Sequence, residues 1–361
     1  DGHSARVAKT IALKTYSSGP RGGMEGARAV AGHYGFQHLL TMDVGGTTTD
    51  IGEVRDGAIR AEARGRVEGV AVSFPLSDVH SVGIGGSSII KVVDGKIKVG
   101  PQSVGSAPGP ACFGLGGVEA TITDAFLVVG LLDPASFFGG DLQIDIERAR
   151  AVVQDRIAKP LGVSIEDAAT AMERAWVDKI ATSVKEFTQI DKDTVLAAFG
   201  GGGPFVVCKV AEAAGISRVL IPGLAAVFSA FGLGFSDIGH QYEAPLRKHD
   251  AGTLKACTNE LLEQAKRGMY AEGFALEDCE IEKVLQITAK GTDERRLLAN
   301  GALPADLPKD ARLSIALSTI KRIPHPQLKG SFGKVKKDAA DVGVRKVLGK
   351  ELPLYRVEDQ K

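Results

Sequence analysis

The sequence predicts an α/β protein, and three kinds of segment support that prediction. HLLTMDV, from His38 to Val44, is a short apolar run that is typical of a buried strand. A long amphipathic pattern that begins after Ser164 predicts a helix with one buried face. The segment 194–221 has the order strand, glycine turn, helix and strand, which is the order of a βαβ unit. Strands and helices therefore belong to one mixed fold.

Two hairpins are predicted in the first third of the chain, because an Asp-Gly pair between extended runs favours a tight turn. Asp56-Gly57 separates the runs 51–54 and 58–60, and Asp94-Gly95 separates the runs 89–93 and 96–99. Segments without apolar period predict loops at 79–88, 100–117 and 137–141.

The helical part of the chain follows. The long helix is capped by Ser164, and seven of its residues recur at helical spacing and are predicted to be buried: Ala168, Met172, Ala175, Trp176, Ile180, Val184 and Phe187. The other predicted elements are a helix at Ile146–Ala158 that ends before Pro160, a strand at Thr194–Phe199, a helix at Pro204–Ala214, a strand at Arg218–Ile221, a helix at Gly223–Phe235, a helix at Leu254–Glu272, a strand near Val284–Ile287 and a basic loop at 324–337.

Composition excludes several classes of function. The 44 Lys and Arg residues balance 44 Asp and Glu residues, so the chain lacks the basic footprint of a general nucleic-acid binder. Its four cysteines are scattered, which is typical of a protein from the reducing cytoplasm. No apolar run approaches the roughly 20 residues of a membrane helix. We therefore expect a cytoplasmic protein that binds neither nucleic acid nor membrane.

The stretch TMDVGGTTTDIG is the strongest candidate site. Backbone N–H groups and hydroxyls can form an anion-binding nest, and the candidates for it are Gly45, Gly46, Thr47, Thr48 and Thr49. Asp43 and Asp50 repel phosphate, but they can bind Mg²⁺ or orient an attacking nucleophile. The competing interpretation is an ordinary hairpin turn capped by threonine side chains.

Two further glycine-rich segments are weaker candidates. In AFGGGGP, the glycines Gly200, Gly201, Gly202 and Gly203 lie between a strand and a helix, where a nucleotide can approach the backbone. In HSVGIGGSS, Gly85 and Gly86 permit the same approach, and His80 is a candidate for direct chemistry. Both segments could instead be packing turns, and a histidine is more often structural. A nucleophilic role for Cys112 is not indicated by its neighbours.

Together these segments resemble the hydantoinase A/5-oxoprolinase family. The resemblance extends from about Thr15 to Tyr242, and its motifs are SSGPRGGMEGARAVAGHYG, TMDVGGTTTDIG, HSVGIGGSSI, VGPQSVGSAPGPACFGLGG, LLDP, AFGGGGPF and AAVFSAFGLGFSD. Within SSGPRGGMEGA, Arg21, Met24 and Glu25 resemble the acetone and acetophenone carboxylase branch.

The resemblance implies an actin/heat-shock-70/sugar-kinase fold, with ribonuclease H-like lobes that clasp ATP and Mg²⁺. Members carry a further phosphate hairpin near their N-terminus, which this chain lacks. We therefore expect an internal portion of a subunit nearly twice as long. We expect residues 1–245 to be the nucleotide-binding core and residues 246–361 a truncated α+β segment.

The family's chemistry implies three alternatives. The first is a subunit of an ATP-dependent ketone carboxylase that phosphorylates the ketone enolate or bicarbonate before a carbon–carbon bond forms. Its partners would be a hydantoinase B-like large subunit and a small metal-binding subunit. The second is a subunit of an ATP-dependent hydrolase of hydantoins or 5-oxoproline. The third is a non-catalytic scaffold subunit.

Overall fold

The computed structural model describes residues 15–62, 65–67, 69–72, 76–134, 137–140, 142–289, 292–298, 301–308, 310–329, 344–347 and 350–353. The helices are α1 (Ser18–Tyr34), α2 (Ile122–Val128), α3 (Ile146–Val153), α4 (Lys159–Leu161), α5 (Ile165–Phe187), α6 (Gly203–Ala214), α7 (Phe228–Leu233) and α8 (Ala251–Glu272). The strands are β1 (His38–Val44), β2 (Thr49–Arg55), β3 (Ala58–Ile59), β4 (Ala61–Glu62), β5 (Arg66–Val67), β6 (Val70–Ala71), β7 (Leu76–Ser77), β8 (His80–Val82), β9 (Ser88–Val93), β10 (Lys96–Ser103), β11 (Thr194–Phe199), β12 (Arg218–Leu220), β13 (Ile238–Leu246), β14 (Glu280–Ala289), β15 (Thr292–Leu297), β16 (Arg312–Lys321), β17 (Val344–Val347) and β18 (Lys350–Pro353). Within these ranges no helix is long and apolar enough to cross a membrane.

The chain forms two compact units, and each draws on separate stretches of sequence. The larger unit contains residues 26–60, 78–232 and 327–361, and the smaller unit contains residues 1–25, 61–77 and 233–326. The predicted division into consecutive domains at 1–245 and 246–361 stays a prediction.

The larger unit is built on a six-stranded sheet with the order β12-β11-β1-β2-β3, and β8 also pairs with β2. Strand β1 is antiparallel to β2 and parallel to β11, which is in turn parallel to β12. The predicted βαβ unit is therefore confirmed, with α6 as its crossover helix. Three antiparallel strands followed by two parallel ones give the ribonuclease H-like lobe that the family resemblance implied, so the predicted fold class is confirmed.

Helix α5 supplies much of the core of this unit. The side chain of Ser164 accepts a hydrogen bond from the N–H of Asp167, which confirms the predicted N-cap. Of the seven residues predicted to be buried, Ala168, Met172, Trp176, Ile180 and Val184 are buried, while Ala175 and Phe187 are partly buried. Trp176 contacts the ring of Phe126 edge-on, and its indole N–H donates to the C=O of Gly85 at 3.4 Å.

The prediction that the Ile146–Ala158 helix ends before Pro160 is wrong. Helix α3 passes at Gln154 into one π-helical turn, Gln154–Ala158, and continues through α4 to Leu161. Pro160 is the second residue of α4 and lies directly after the π-helical turn. Gly162, with φ +66°, ends the helix in the left-handed region.

Other short elements differ from the prediction. The expected helix at Gly223–Phe235 is only the six residues of α7, preceded by a 3₁₀ turn at Ala225–Val227. Helix α2 was not predicted because it is seven residues long, too short to show a period. It begins at a buried capping box in which Thr121 and Asp124 each accept the other's backbone N–H.

The smaller unit contains a four-stranded antiparallel sheet with the order β13-β16-β14-β15, packed against α8. Asp250 caps α8, so the predicted helix at Leu254–Glu272 begins earlier, at Ala251. The predicted strand near Val284–Ile287 is the centre of β14. The predicted basic loop at 324–337 has no regular structure over 324–329, and the rest of it lies outside the described residues.

We expect Trp176→Ala to lower the free energy of unfolding by about 3–5 kcal/mol, because a fully buried aromatic side chain leaves a cavity when it is truncated. Urea unfolding followed by circular dichroism measures the effect. Arg174→Ala on the same helix is the control, because the side chain of Arg174 is 84% exposed. Equal stabilities of the two variants would contradict this description of the core.

Candidate functional site

The site is centred on the hairpin formed by β1 and β2. Asp43 and Asp50 are directly opposite each other in the register of the two strands, so their side chains lie on the same face of the sheet. That face is opposite to the apolar cluster that contains Met42 and Ile51. Two acidic side chains thus lie side by side at the turn end of the hairpin.

The turn between these strands presents backbone amides to solvent. The N–H of Gly45 donates to the C=O of Thr48 at 2.9 Å and closes the turn. Among the described residues, none accepts a hydrogen bond from the N–H groups of Gly46, Thr47 or Thr48. Gly45, Gly46 and Thr47 are exposed. The predicted anion nest thus has three N–H donors available.

Thr49 has a different position from the two threonines before it. Its side chain is fully buried, and its hydroxyl donates to the C=O of Ile84 at 2.7 Å. This hydroxyl proton is therefore used to join the hairpin to the 83–88 loop. The geometry favours Thr47 and Thr48, rather than Thr49, as donors to a ligand.

The 83–88 loop braces the turn from behind. The N–H of Gly86 donates to the C=O of Gly45 at 3.0 Å, and the N–H of Ser87 donates to the C=O of Gly46 at 2.6 Å. A Cβ atom at Gly85 would lie 2.6 Å from the C=O oxygen of Gly45, so only glycine allows this approach. Gly85 and Gly86, predicted as nucleotide contacts, thus have their structural role in positioning the turn.

The 200–203 loop packs against the end of β1. Gly200 has φ +77°, and a Cβ atom there would collide with the Asp43 carboxylate. The N–H of Gly202 donates to the C=O of Val44 at 3.1 Å. Gly201 is exposed, and no atom lies within 4 Å of the position that its Cβ would take. The loop leads into α6, whose N-terminus has no side-chain cap and favours an anion.

Two serines that the sequence analysis missed hydrogen-bond the carboxylates. The hydroxyl of Ser229 donates to Oδ2 of Asp43 at 3.0 Å. Ser81 pairs with Asp50 in the register of β8 and β2, and its side chain hydrogen-bonds the Asp50 carboxylate. The Ser81 contact could have been found once β8 was aligned with β2. The Ser229 contact has no local signal, because 186 residues separate it from Asp43.

The environment disfavours the charged form of both acids. Burial raises the pKa of Asp43; the hydrogen bond from Ser229 opposes this effect, and the neighbouring charge of Asp50 adds to it. Burial also raises the pKa of Asp50, opposed by the hydrogen bond with Ser81. A cation would relieve this repulsion. Within the described ranges no cluster of three or more His, Cys, Asp or Glu side chains could hold a metal ion, so Asp43 and Asp50 are not part of a larger cluster of this kind.

His80 does not lie with the carboxylates. It pairs with Ile51 in the sheet, so its side chain is on the other face, where its ring stacks on Phe187 with centroids 6.2 Å apart. The prediction of direct chemistry at His80 therefore lacks geometric support. The neighbouring Asp78 forms an ion pair of 2.6 Å with Arg60.

The environment of Cys112 disfavours its reactive thiolate form. Cys112 is buried, its backbone N–H donates to Asp124 at 2.8 Å, and burial raises the pKa of its thiol well above the ordinary range. The sequence contains no indication that this cysteine is a nucleophile, and its buried environment agrees with that interpretation.

We expect Gly85→Ala to destabilise the protein by about 1–3 kcal/mol, because the added methyl group meets the backbone of the hairpin turn. Gly201→Ala is the matched control, because its methyl group enters open space and should change stability by less than about 0.5 kcal/mol. Thermal or urea unfolding of both variants measures the difference. A destabilised Gly201→Ala protein beside an unaffected Gly85→Ala protein would contradict the assignment.

The raised pKa of Asp43 predicts how its removal changes stability with pH. When the pKa of a carboxyl is higher in the folded than in the unfolded protein, the free energy of unfolding falls as pH rises from the unfolded pKa near 4 through the folded pKa. At neutral pH this loss of stability is complete. Asp43→Asn removes the charge and should make the protein more stable than the wild type at pH 7. The difference should shrink towards pH 4. Urea unfolding at both pH values measures it, and a larger gain at pH 4 than at pH 7 would contradict it.

Comparison with known proteins reveals several relatives. The Hydantoinase/oxoprolinase family model matches residues 1–242. The gamma subunit of acetophenone carboxylase from Aromatoleum aromaticum is 30% identical over 328 residues, which cover 86% of this chain and 44% of that subunit. The alpha subunit of caprolactamase from Pseudomonas jessenii is 33% identical over 271 residues, which cover 73% of this chain and 39% of that subunit.

A nucleotide-free structure of acetone carboxylase shares the fold. Its TM-score is 0.76 at 24% identity, over 93% of this chain and 54% of that chain. This chain thus spans about half or less of the length of these proteins. Since the family model matches 242 consecutive residues of the 361, the chain belongs to the hydantoinase/oxoprolinase family.

Proposed function

We propose that the chain is part of a subunit of an ATP-dependent ketone carboxylase, of the acetone or acetophenone type. The observation that carries the proposal is the pairing of Asp43 with Asp50 beside the available N–H groups of the 45–48 turn. Donors for phosphate and carboxylates for a cation meet at one end of one hairpin, as phosphoryl transfer requires.

Each part of the site has a role in this proposal. The N–H groups of Gly46, Thr47 and Thr48 bind phosphate oxygens, and the hydroxyls of Thr47 and Thr48 add further donors. The exposed backbone at Gly201 lies against the nucleotide, and the uncapped N-terminus of α6 favours its negative charge. Gly85 and Gly86 hold the turn in place from behind.

Asp43 and Asp50 would hold Mg²⁺. Two adjacent carboxylates with raised pKa values fit a divalent cation, and magnesium sites commonly combine one or two carboxylates with water and substrate phosphate. When bound there, the cation would neutralise phosphate charge. The two acids also orient the reacting oxygen if one of them faces the carbonyl substrate.

The reaction proposed is transfer of the terminal phosphoryl group of ATP to a carbonyl-derived oxygen. Each transfer releases ADP. The phosphorylated enolate is then the carbon nucleophile and phosphorylated bicarbonate is the electrophile. Their carbon–carbon bond forms as phosphate leaves the carboxyl carbon, and water releases the second phosphate from the enol oxygen. The amides of the turn contribute by fixing the phosphate and stabilising its charge in the transition state.

The second candidate is hydrolysis of a cyclic amide on the same site. Phosphorylation of the amide oxygen would make the carbonyl carbon open to water. The identity of 33% with a caprolactamase subunit favours this candidate, whereas the 328-residue match with an acetophenone carboxylase subunit favours the ketone. Arg21 and Glu25, which carry the branch resemblance, form an ion pair of 2.6 Å in α1.

The proposal includes partners. A hydantoinase B-like large subunit and a small metal-binding subunit would complete a cytoplasmic hetero-oligomer with bicarbonate and a carbonyl compound as substrates. A scaffold subunit without catalysis is the remaining alternative. The intact carboxylate pair and the available amides argue against that alternative.

Phosphate release by the complete co-purified complex tests the proposal. With ATP and Mg²⁺ present, we expect release only when a methyl ketone and bicarbonate are both added. Release with a cyclic amide alone would replace the carboxylase by the hydrolase. Absence of release with either substrate set would favour the scaffold.

Within the same assay, Asp43→Asn should lower substrate-dependent phosphate release by at least about 100-fold, because one of two cation ligands loses its charge. Asp178→Asn is the control, since the side chain of Asp178 is 60% exposed on α5. Near-normal turnover by Asp43→Asn would contradict the proposed role of Asp43 as a cation ligand.

A further inference from the structure

One short stretch of chain contacts both the 200–203 loop and the carboxylate pair. We call residues 225–229 the strap. At its start, the C=O of Ala225 accepts the N–H of Gly200 at 2.9 Å. At its end, the hydroxyl of Ser229 donates to Oδ2 of Asp43 at 3.0 Å. Gly200 follows β11 directly, and Asp43 pairs with Phe199 at the end of that strand.

The loop and the strap contact different oxygens of the same carboxylate. Oδ1 of Asp43 lies against the backbone of Gly200, and Oδ2 is bound by Ser229. The carboxylate is therefore held between the loop on one oxygen and the strap on the other. A rotation of this carboxylate would break the Ser229 hydrogen bond or push against Gly200.

The strap itself is fixed by the side chain between its two contacts. Phe228 is 3% exposed, and its ring lies 4.7 Å from the ring of Phe199. A Cβ atom at Gly26 of α1 would lie 3.0 Å from the Phe228 ring, so glycine at this position gives the ring its space. Phe228 thus anchors the strap to β11 and α1 without contacting either carboxylate.

We propose that the strap is a positioning element, in which Ser229 aligns the Asp43 carboxylate with the 200–203 loop for cation binding. This inference rests on the proposed function. Ser229 is a positioning residue rather than a catalytic one, because it acts through Asp43. Its hydroxyl orients one carboxylate oxygen and leaves the other facing the loop.

The test compares Ser229→Thr with Ser229→Val in the full-length subunit, assembled with its partners. Threonine and valine have the same shape, and only threonine retains the hydroxyl. A hydrogen bond to a charged group is among the stronger ones, so we expect valine to raise the half-saturating Mg²⁺ concentration about ten-fold and to lower kcat by a similar factor. Threonine should stay within about three-fold of the wild type.

Two further readouts separate positioning from a general structural effect. The Kd for ATP without Mg²⁺ should be the same for the two variants, because no cation is then present for Asp43 to bind. The Tm of both variants should stay above the assay temperature, because the loss of one hydrogen bond does not unfold the subunit. Equal Mg²⁺ dependence and kcat in the two variants would overturn the inference. A lower Tm of the valine variant that accounts for its lost activity would also overturn it.

ATP binding and cleavage by the wild-type complex distinguish a failure of this inference from a failure of the proposed function. A wild-type complex that neither binds nor cleaves ATP contradicts both. A wild-type complex that cleaves ATP with Mg²⁺, together with identical threonine and valine variants, contradicts only the role of Ser229.

Discussion

The site in the larger unit depends on one unfavourable arrangement that the surrounding fold must hold in place, the two carboxylates that pair across β1 and β2. Asp43 and Asp50 repel each other, and burial disfavours the charge of both. The hairpin keeps this arrangement because all the other residues of the strand that carries Asp43 are buried. Leu39, Leu40 and Met42 of that strand are fully buried. Burial of these three side chains contributes several kcal/mol to the stability of the fold. This contribution offsets the repulsion between Asp43 and Asp50 and keeps the two strands paired at the turn.

Close packing of backbone against backbone then fixes the geometry around those charges. The 83–88 loop donates two N–H groups to the turn, and the 200–203 loop lies against the end of β1. Neither approach would be possible with side chains at Gly85 or Gly200. The turn is thus braced from behind by hydrogen bonds and exposed in front, where the N–H groups of residues 46–48 have no acceptor among the described residues.

Local sequence patterns predicted the elements that short-range physics determines. The hairpins at Asp56-Gly57 and Asp94-Gly95, the βαβ unit and the buried face of α5 all followed from period, turn residues and capping. What depends on distant parts of the chain did not follow. The face on which His80 lies is set by the pairing of β8 with β2, and the partner of Asp43 is a serine 186 residues away. The continuation of α3 beyond Pro160 needed a π-helical turn, for which the residues give no signal.

The glycines of the site separate into two groups by what requires them. Gly85, Gly200 and Gly202 are required by the fold, because a side chain at any of them would meet backbone or a neighbouring side chain. Gly45, Gly46 and Gly201 meet nothing closer than 3.5 Å, so the described part of the chain would accept alanine at these positions. These three glycines border the exposed side of the turn and loop. Under the proposed function, bare backbone at these three positions lets a phosphate-bearing ligand approach the N–H groups closely, which alanine side chains would hinder.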